Sequence, residues 1–129
     1  MLSGKKAYIC SPLSAPEARE IHHNMYMARL YMGQMQLLYN CRAFAAHAYL
    51  PWMLDDSIPE ERETALRIGL ELMDLCSVLI ICGRRVSSGM KGEIKEAFSR
   101  NMDVYWYDSE ERPSELTAVQ SWREEWDAL

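Results

Sequence analysis

A chain of 129 residues, 49% hydrophobic and 26% charged, is long enough for one real core but too short for two independently stable halves, and too apolar for a disordered chain. Its formal charge of −5 disfavours a nucleic-acid partner, and no basic stripe offsets it, because Lys5-Lys6, Arg84-Arg85 and Lys91/Lys95 are separated and interleaved with acids. Cys10, Cys41, Cys76 and Cys82 form no CxxC pair and lie in or beside apolar runs. His22, His23 and His47 lack ligand spacing with them, so neither a metal nor another cofactor is expected.

Lys6-Ala7-Tyr8-Ile9-Cys10 is short and apolar and runs into Ser11-Pro12, which reads as a buried strand ending in a turn. A long helix over 15–39 follows, with Ile21, Met25, Ala28, Met32, Met35 and Tyr39 at alternating steps of four and three, one stripe that packs on the sheet. Residues 41–48 form a weaker second strand ending at His47, and 49–56 are irregular. Ser57 and Glu60 have capping-box spacing and Pro59 suits a first helical turn. A helix over 58–75 is expected, with Leu66, Leu70 and Met73 in its apolar stripe.

Residues 77–83 hold the most apolar run, Val78-Leu79-Ile80-Ile81-Cys82-Gly83, a third buried strand. A helix over 90–100 and a strand over 104–107 follow. Residues 113–129 are expected as a C-terminal amphipathic helix, because Leu116, Val119, Trp122 and Trp126 share a face; it docks on its own domain or on another subunit. Alternating strands and helices imply a single α/β domain over 1–129. Its form is a three-layer, open parallel sheet of about four to five strands, flavodoxin- or Rossmann-like, with helices on both faces. No apolar leader follows Met1 and no apolar run approaches a membrane span, so a cytoplasmic protein without a membrane partner is expected.

In such sheets ligands bind beyond the carboxyl ends of the strands. Three strand ends would bring Tyr8 to Pro12, His47 and Gly83 to Glu93 onto one rim. Glu93 falls about a hundred degrees from Ile94 on the helix and so borders the buried face. Read as a first-turn residue it feels the helix dipole, which suits an ionised nucleophile and equally suits simple helix stabilisation. Gly89 and Gly92 either admit a phosphate or sugar close to the backbone or only permit a turn, and the loop is neither a Walker loop nor a GxGxxG fingerprint. His47 reads as a ligand donor or a structural residue, and Asp55 and Asp56 as solvated loop acids or an acid at the rim.

From Lys6 to about Trp106 the chain resembles the nucleoside 2-deoxyribosyltransferase-like superfamily. Tyr8-Ile9-Cys10-Ser11-Pro12 resembles its first-strand pattern, and Ser87-x-Gly89-x-x-x-Glu93 has the spacing of its nucleophile motif. A small branch of the superfamily is similar in Asn24-x-x-x-Ala28-x-x-Tyr31, His47, Leu54-Asp55-Asp56, Glu61-Arg62, Gly69-Leu70 and Ser88-Gly89-Met90-x-x-Glu93-Ile94. The resemblance implies N-glycoside cleavage or deoxyribosyl transfer, with Glu93 as nucleophile and Tyr8 as its orienter. Ser11, Pro12, His47, Asp55, Asp56, Gly83, Ser87, Ser88, Gly89 and Met90 would form the substrate site.

Serine at 87, where the transferases usually carry aspartate, resembles the 2′-deoxynucleoside 5′-phosphate N-hydrolases and implies a nucleoside or its 5′-monophosphate as substrate. The resemblance also implies a homo-oligomer, a dimer or higher. The family's aspartate on the helix before the third strand is here Gly69, leaving His47, Asp55 or Asp56 to take its place, or leaving a non-catalytic nucleotide-binding module. A scaffold for protein contacts is the third reading.

Overall fold

The computed structural model describes residues 2–108 and 115–128. Strand β1 (Lys6–Cys10) leads into helix α1 (Ala18–Tyr39), followed by β2 (Arg42–Phe44), helix α2 (Pro59–Asp74), β3 (Val78–Cys82), helix α3 (Ser88–Ser99), β4 (Asp103–Tyr107) and β5 (Leu116–Val119). The five strands lie in the order β2-β1-β3-β4-β5. The first four are parallel, and β5 is antiparallel to β4. This is the open α/β architecture expected, with the flavodoxin-like strand order and its reversal between β1 and β3.

Both sheet faces are covered, so β3 is buried along its whole length and needs no polar face. Side-chain alternation sorts the core. Ala7, Ile9, Val78, Ile80 and Cys82 point to α1, where they meet Ala28, Tyr31 and Met35. Tyr8, Cys10, Leu79 and Ile81 point to the opposite face, against Met90, Ile94 and Ala97 of α3 and Met73 of α2. In α1 the fully buried residues are Met25, Ala28, Tyr31 and Met35, whereas Ile21, Met32 and Tyr39 are half-buried. The helix is thus turned toward Tyr31 relative to the expected stripe. It stops at Asn40, whose left-handed φ of 53° lets its N–H reach the carbonyl of Gln36.

Four expectations need correction. The second strand ends at Phe44, not at 48, and His47 lies in a single 3-10 turn, Ala46–Ala48. The alanines are small enough to pack there, and Arg29 donates to the Ala48 carbonyl at 2.9 Å. The capping box at Ser57 is absent. Ser57 instead gives its N–H and hydroxyl to Asp55 Oδ1 at 2.9 and 2.7 Å, and α2 starts after Ile58 with Pro59 in its first turn. Leu66 and Leu70 are 63% and 43% exposed, so most of the α2 stripe does not enter the core; only Met73 is fully buried.

The fourth concerns the tail. Residues 116–119 form a strand, with Val104 opposite Val119 and Tyr107 opposite Leu116. Leu116 and Val119 fall on opposite sheet faces, as a period of two demands, and pairing β5 onto β4 satisfies backbone groups that a helix would leave open at the sheet edge. A short 3-10 segment, Glu124–Ala128, then buries Trp126, which docks on its own chain against Trp106 and Trp122 at ring separations of 5.7 and 5.0 Å. Residues 113, 114 and 129 of the expected helix lie outside the described residues. No helix among the described residues is long and apolar enough to cross a membrane.

Candidate active site

A cavity of about 450 Å³ opens beyond the carboxyl end of β1, on the side of the sheet covered by α2 and α3, and is walled by residues 46–56, α2 and the start of α3. The Tyr8 side chain stands on the α2/α3 face of β1, 1% exposed, and its hydroxyl donates to Glu93 Oε2. Burial first, and the neighbouring carboxylate second, hold its phenol far above the ordinary value. Tyr8 therefore stays protonated, and its O–H is directed at the carboxylate. The other carboxylate oxygen, Oε1, is buried without a hydrogen bond, and His47 Nε2 lies 3.6 Å from it. One oxygen is fixed by a hydrogen bond while the other accepts none and meets only the imidazole of His47, an arrangement that suits a nucleophile whose attacking direction is set in advance.

The helix dipole does not explain Glu93. Helix α3 begins at Ser88 rather than Met90, with Ser87 as N-cap and its Oγ accepting from Met90 N at 3.4 Å. Glu93 is consequently in the second turn, beyond the reach of the dipole, and Tyr8 and His47 hold it instead. Ser88 and Gly89, whose amides open the helix and so have no acceptor within it, line the cavity beside Ser87. Ser11 also lines it, 1% exposed, and its Oγ has no hydrogen-bond partner. A buried unpaired hydroxyl is costly, which marks it as a group awaiting a polar partner.

Of the residues singled out in the sequence, Tyr8, Ser11, His47, Asp56, Ser87, Ser88, Gly89, Met90 and Glu93 line the cavity. Pro12, Asp55 and Gly83 are not in its lining. Asp55 is exposed, and its bonds from Ser57 hold its carboxyl below the usual range. Gly83, at φ +112°, turns the chain after β3, with its N–H on the Tyr107 carbonyl and its own carbonyl accepting from Trp106 Nε1 at 2.7 Å. Cys10, under the site, is pushed well up by burial and by Glu93, and its thiol faces the Met90 carbonyl at 3.9 Å.

Sequence reading missed the α2 wall. Arg62, Ala65, Leu66, Gly69, Leu70 and Met73 all line the cavity, at i, i+3, i+4, i+7, i+8 and i+11. The stripe was visible; what it faces was not. Gly69 brings bare backbone close to Tyr8: a Cβ there would lie 3.5 Å from the Tyr8 hydroxyl and 4.0 Å from Ala46 Cβ, ordinary contact distances. Among the described residues, no group of three or more His, Cys, Asp or Glu side chains is arranged to hold a metal ion.

Residues 5–107 match a family described as a domain of unknown function (DUF7768). The chain belongs to that family. This DUF7768 protein shares its fold with a 2-deoxyribosyltransferase from the psychrotolerant bacterium Bacillus psychrosaccharolyticus, at a TM-score of 0.60 and 14% identity, over 78% of this chain and 70% of that one. No curated protein matches it.

Proposed function

We propose that the protein cleaves or transfers the N-glycosidic bond of a 2-deoxynucleoside or its 5′-monophosphate, with Glu93 as nucleophile and Tyr8 as its orienter. The observation that carries this reading is the Glu93 carboxylate itself, with one oxygen held by a protonated phenol and the other accepting no hydrogen bond, in a cavity beyond the end of β1. Attack on the anomeric carbon gives a glycosyl ester on Glu93, which water or a second base resolves, the two-step logic of retaining glycosidases. Likeness of fold to a 2-deoxyribosyltransferase supports the substrate class.

In this reading Ser11, Ser87, Ser88 and Gly89 hold the sugar or its 5′-phosphate, where the Ser11 hydroxyl and the free α3 amides are available as donors. The base lies on the apolar α2 wall of Ala65, Leu66 and Leu70, with Arg62 one helical stretch further out. We also infer a homo-oligomer, since a second copy covering Leu37 and Leu38, exposed on α1 away from the cavity, would remove apolar surface from water. The test is incubation with a panel of deoxynucleosides and their monophosphates, with free base followed by chromatography. Release that Glu93→Ala abolishes is expected; no release from any substrate, or release that the variant retains, sinks the proposal.

Gly69 favours a second reading. With no acid on the face of α2 that lines it, the same cavity would serve a nucleotide-binding module without turnover. Thermal stabilisation by a nucleotide without base release is its signature.

A further inference from the structure

Departure of a nucleobase leaves an electron pair on nitrogen, and a positioned proton donor there contributes about a hundred- to ten-thousandfold in rate. The cavity holds few groups able to supply that proton. The Tyr8 hydroxyl is engaged with Glu93 and binds its proton too tightly to release it. Cys10 is buried, with its thiol turned to the Met90 carbonyl. Arg62 never deprotonates under ordinary conditions. Asp56 reaches the cavity from the exposed turn before α2, and Asp55 is not in the lining at all. Gly69 supplies no side chain.

His47 remains, and its position is specific. The 3-10 turn Ala46–Ala48 is anchored by the buried methyls of Ala46 and Ala48 and by Arg29, which holds the Ala48 carbonyl. That anchoring places Nε2 3.6 Å from Glu93 Oε1, with a quarter of the side chain still exposed to the cavity. Attack by Oε1 on an anomeric carbon leaves the departing nitrogen about 5 Å away across that carbon, a position that an imidazole edge 3.6 Å from Oε1 and open to the cavity is able to reach.

We propose that His47 is the acid and base of the reaction; this rests on the reading of Glu93 as nucleophile. In the first step Glu93 Oε1 forms a bond to the anomeric carbon, the bond from carbon to base nitrogen breaks with its electron pair going to the base, and the imidazolium passes its Nε2 proton to that base. The products are a glycosyl ester and a neutral imidazole. In the second step the imidazole removes a proton from water or from an acceptor base. The resulting nucleophile attacks the anomeric carbon, and Glu93 leaves as a carboxylate. One residue thereby serves both steps.

The experiment compares the wild-type protein, His47→Ala and His47→Gln in single turnovers with protein in excess, where base release reads the first step alone, on a series of 2-deoxynucleosides whose leaving bases differ in basicity, including an N7-methylated purine that departs without a proton. An acid at 47 predicts a loss of about a hundred- to ten-thousandfold for the poorest leaving bases, shrinking to under about tenfold for the best, in both variants. Retained cleavage of the best substrates shows that the variants are folded. A loss equal across the series overturns the acid role, as does no loss at all. Failure of Glu93 as nucleophile looks different: the wild-type protein cleaves nothing, or Glu93→Ala leaves release unchanged.

Discussion

Replacing Glu93 by glutamine separates a catalytic carboxylate from a structural one by the sign of its effect on stability. In the folded protein the carboxylate gains one charge-assisted bond from Tyr8 and a partly exposed contact with His47. Its Oε1 is buried with no hydrogen bond. Glutamine keeps the shape. The bond from Tyr8 becomes a neutral one, costing about 1 kcal/mol, and the His47 contact, about a quarter exposed, is worth under about 1 kcal/mol. Against this, the negative charge of a buried carboxylate is removed, one whose Oε1 accepts no hydrogen bond and meets His47 only at 3.6 Å, which releases about 2 to 3 kcal/mol of desolvation cost. The net is a stabilisation of about 1 kcal/mol, or about 4 °C in melting temperature for a chain of this size. Calorimetry or far-ultraviolet circular dichroism at neutral pH, alongside the base-release assay, reads both effects. Activity lost with stability gained is the expected pair. A variant destabilised by 1 kcal/mol or more would make Glu93 an anchor of the fold, and retained activity would end its role as nucleophile.

Gly69→Asp puts a carboxyl group where the backbone is bare, with its Cβ at ordinary contact distance from Tyr8 and Ala46, so the variant should fold. If proton supply limits the reaction, base release rises by about tenfold or more; an unchanged or lower rate shows that the site does not need it. Alkaline pH should destabilise the fold. Burial pushes the Cys10 and Cys82 thiols up and raises Cys76 to about 11, so the folded state holds protons that the unfolded chain gives up first. Stability is complete below the unfolded thiol value, about pH 8.5, and falls as pH rises toward the folded ones. The loss is about 1.4 kcal/mol per pH unit for each fully buried thiol and less for Cys76, which solvent partly screens. Urea midpoints at pH 8 and pH 10 check this, and a level or rising midpoint refutes it. Trp126→Ala should cost about 3 kcal/mol, because the ring is 3% exposed between Trp106 and Trp122 under the Arg123 guanidinium. A loss below about 1 kcal/mol would mean that the tail does not contribute to the core.

The sheet was legible because its strands are buried on both faces and carry unbroken apolar runs, as in Ala7 to Cys10 and Val78 to Cys82. Glu93 was legible because the strand-loop-helix order puts it at the sheet rim. The tail was not. Leu116, Val119, Trp122 and Trp126 have helical spacing, but the unsatisfied edge of β4, which no local pattern expresses, draws residues 116–119 into the sheet. The α2 stripe shows the complementary failure. Periodicity tells that Leu66, Leu70 and Met73 share a face, and it is silent on whether that face meets side chains or a cavity. His47 was misplaced for a further reason, since three alanines around it read as strand or turn until Arg29 fixes the Ala48 carbonyl.

The α2 wall leaves one sector of the hydrophobic core vacant. With Met73 as its only fully buried residue, the helix is packed most tightly on the rest of the fold near its carboxyl end. A flat apolar ligand set against Leu66 and Leu70 would complete that sector and finish, in effect, the folding of α2. Binding should therefore carry the marks of folding itself: a negative heat-capacity change, and slowed amide exchange in the first turns of α2 rather than in β1 or β3.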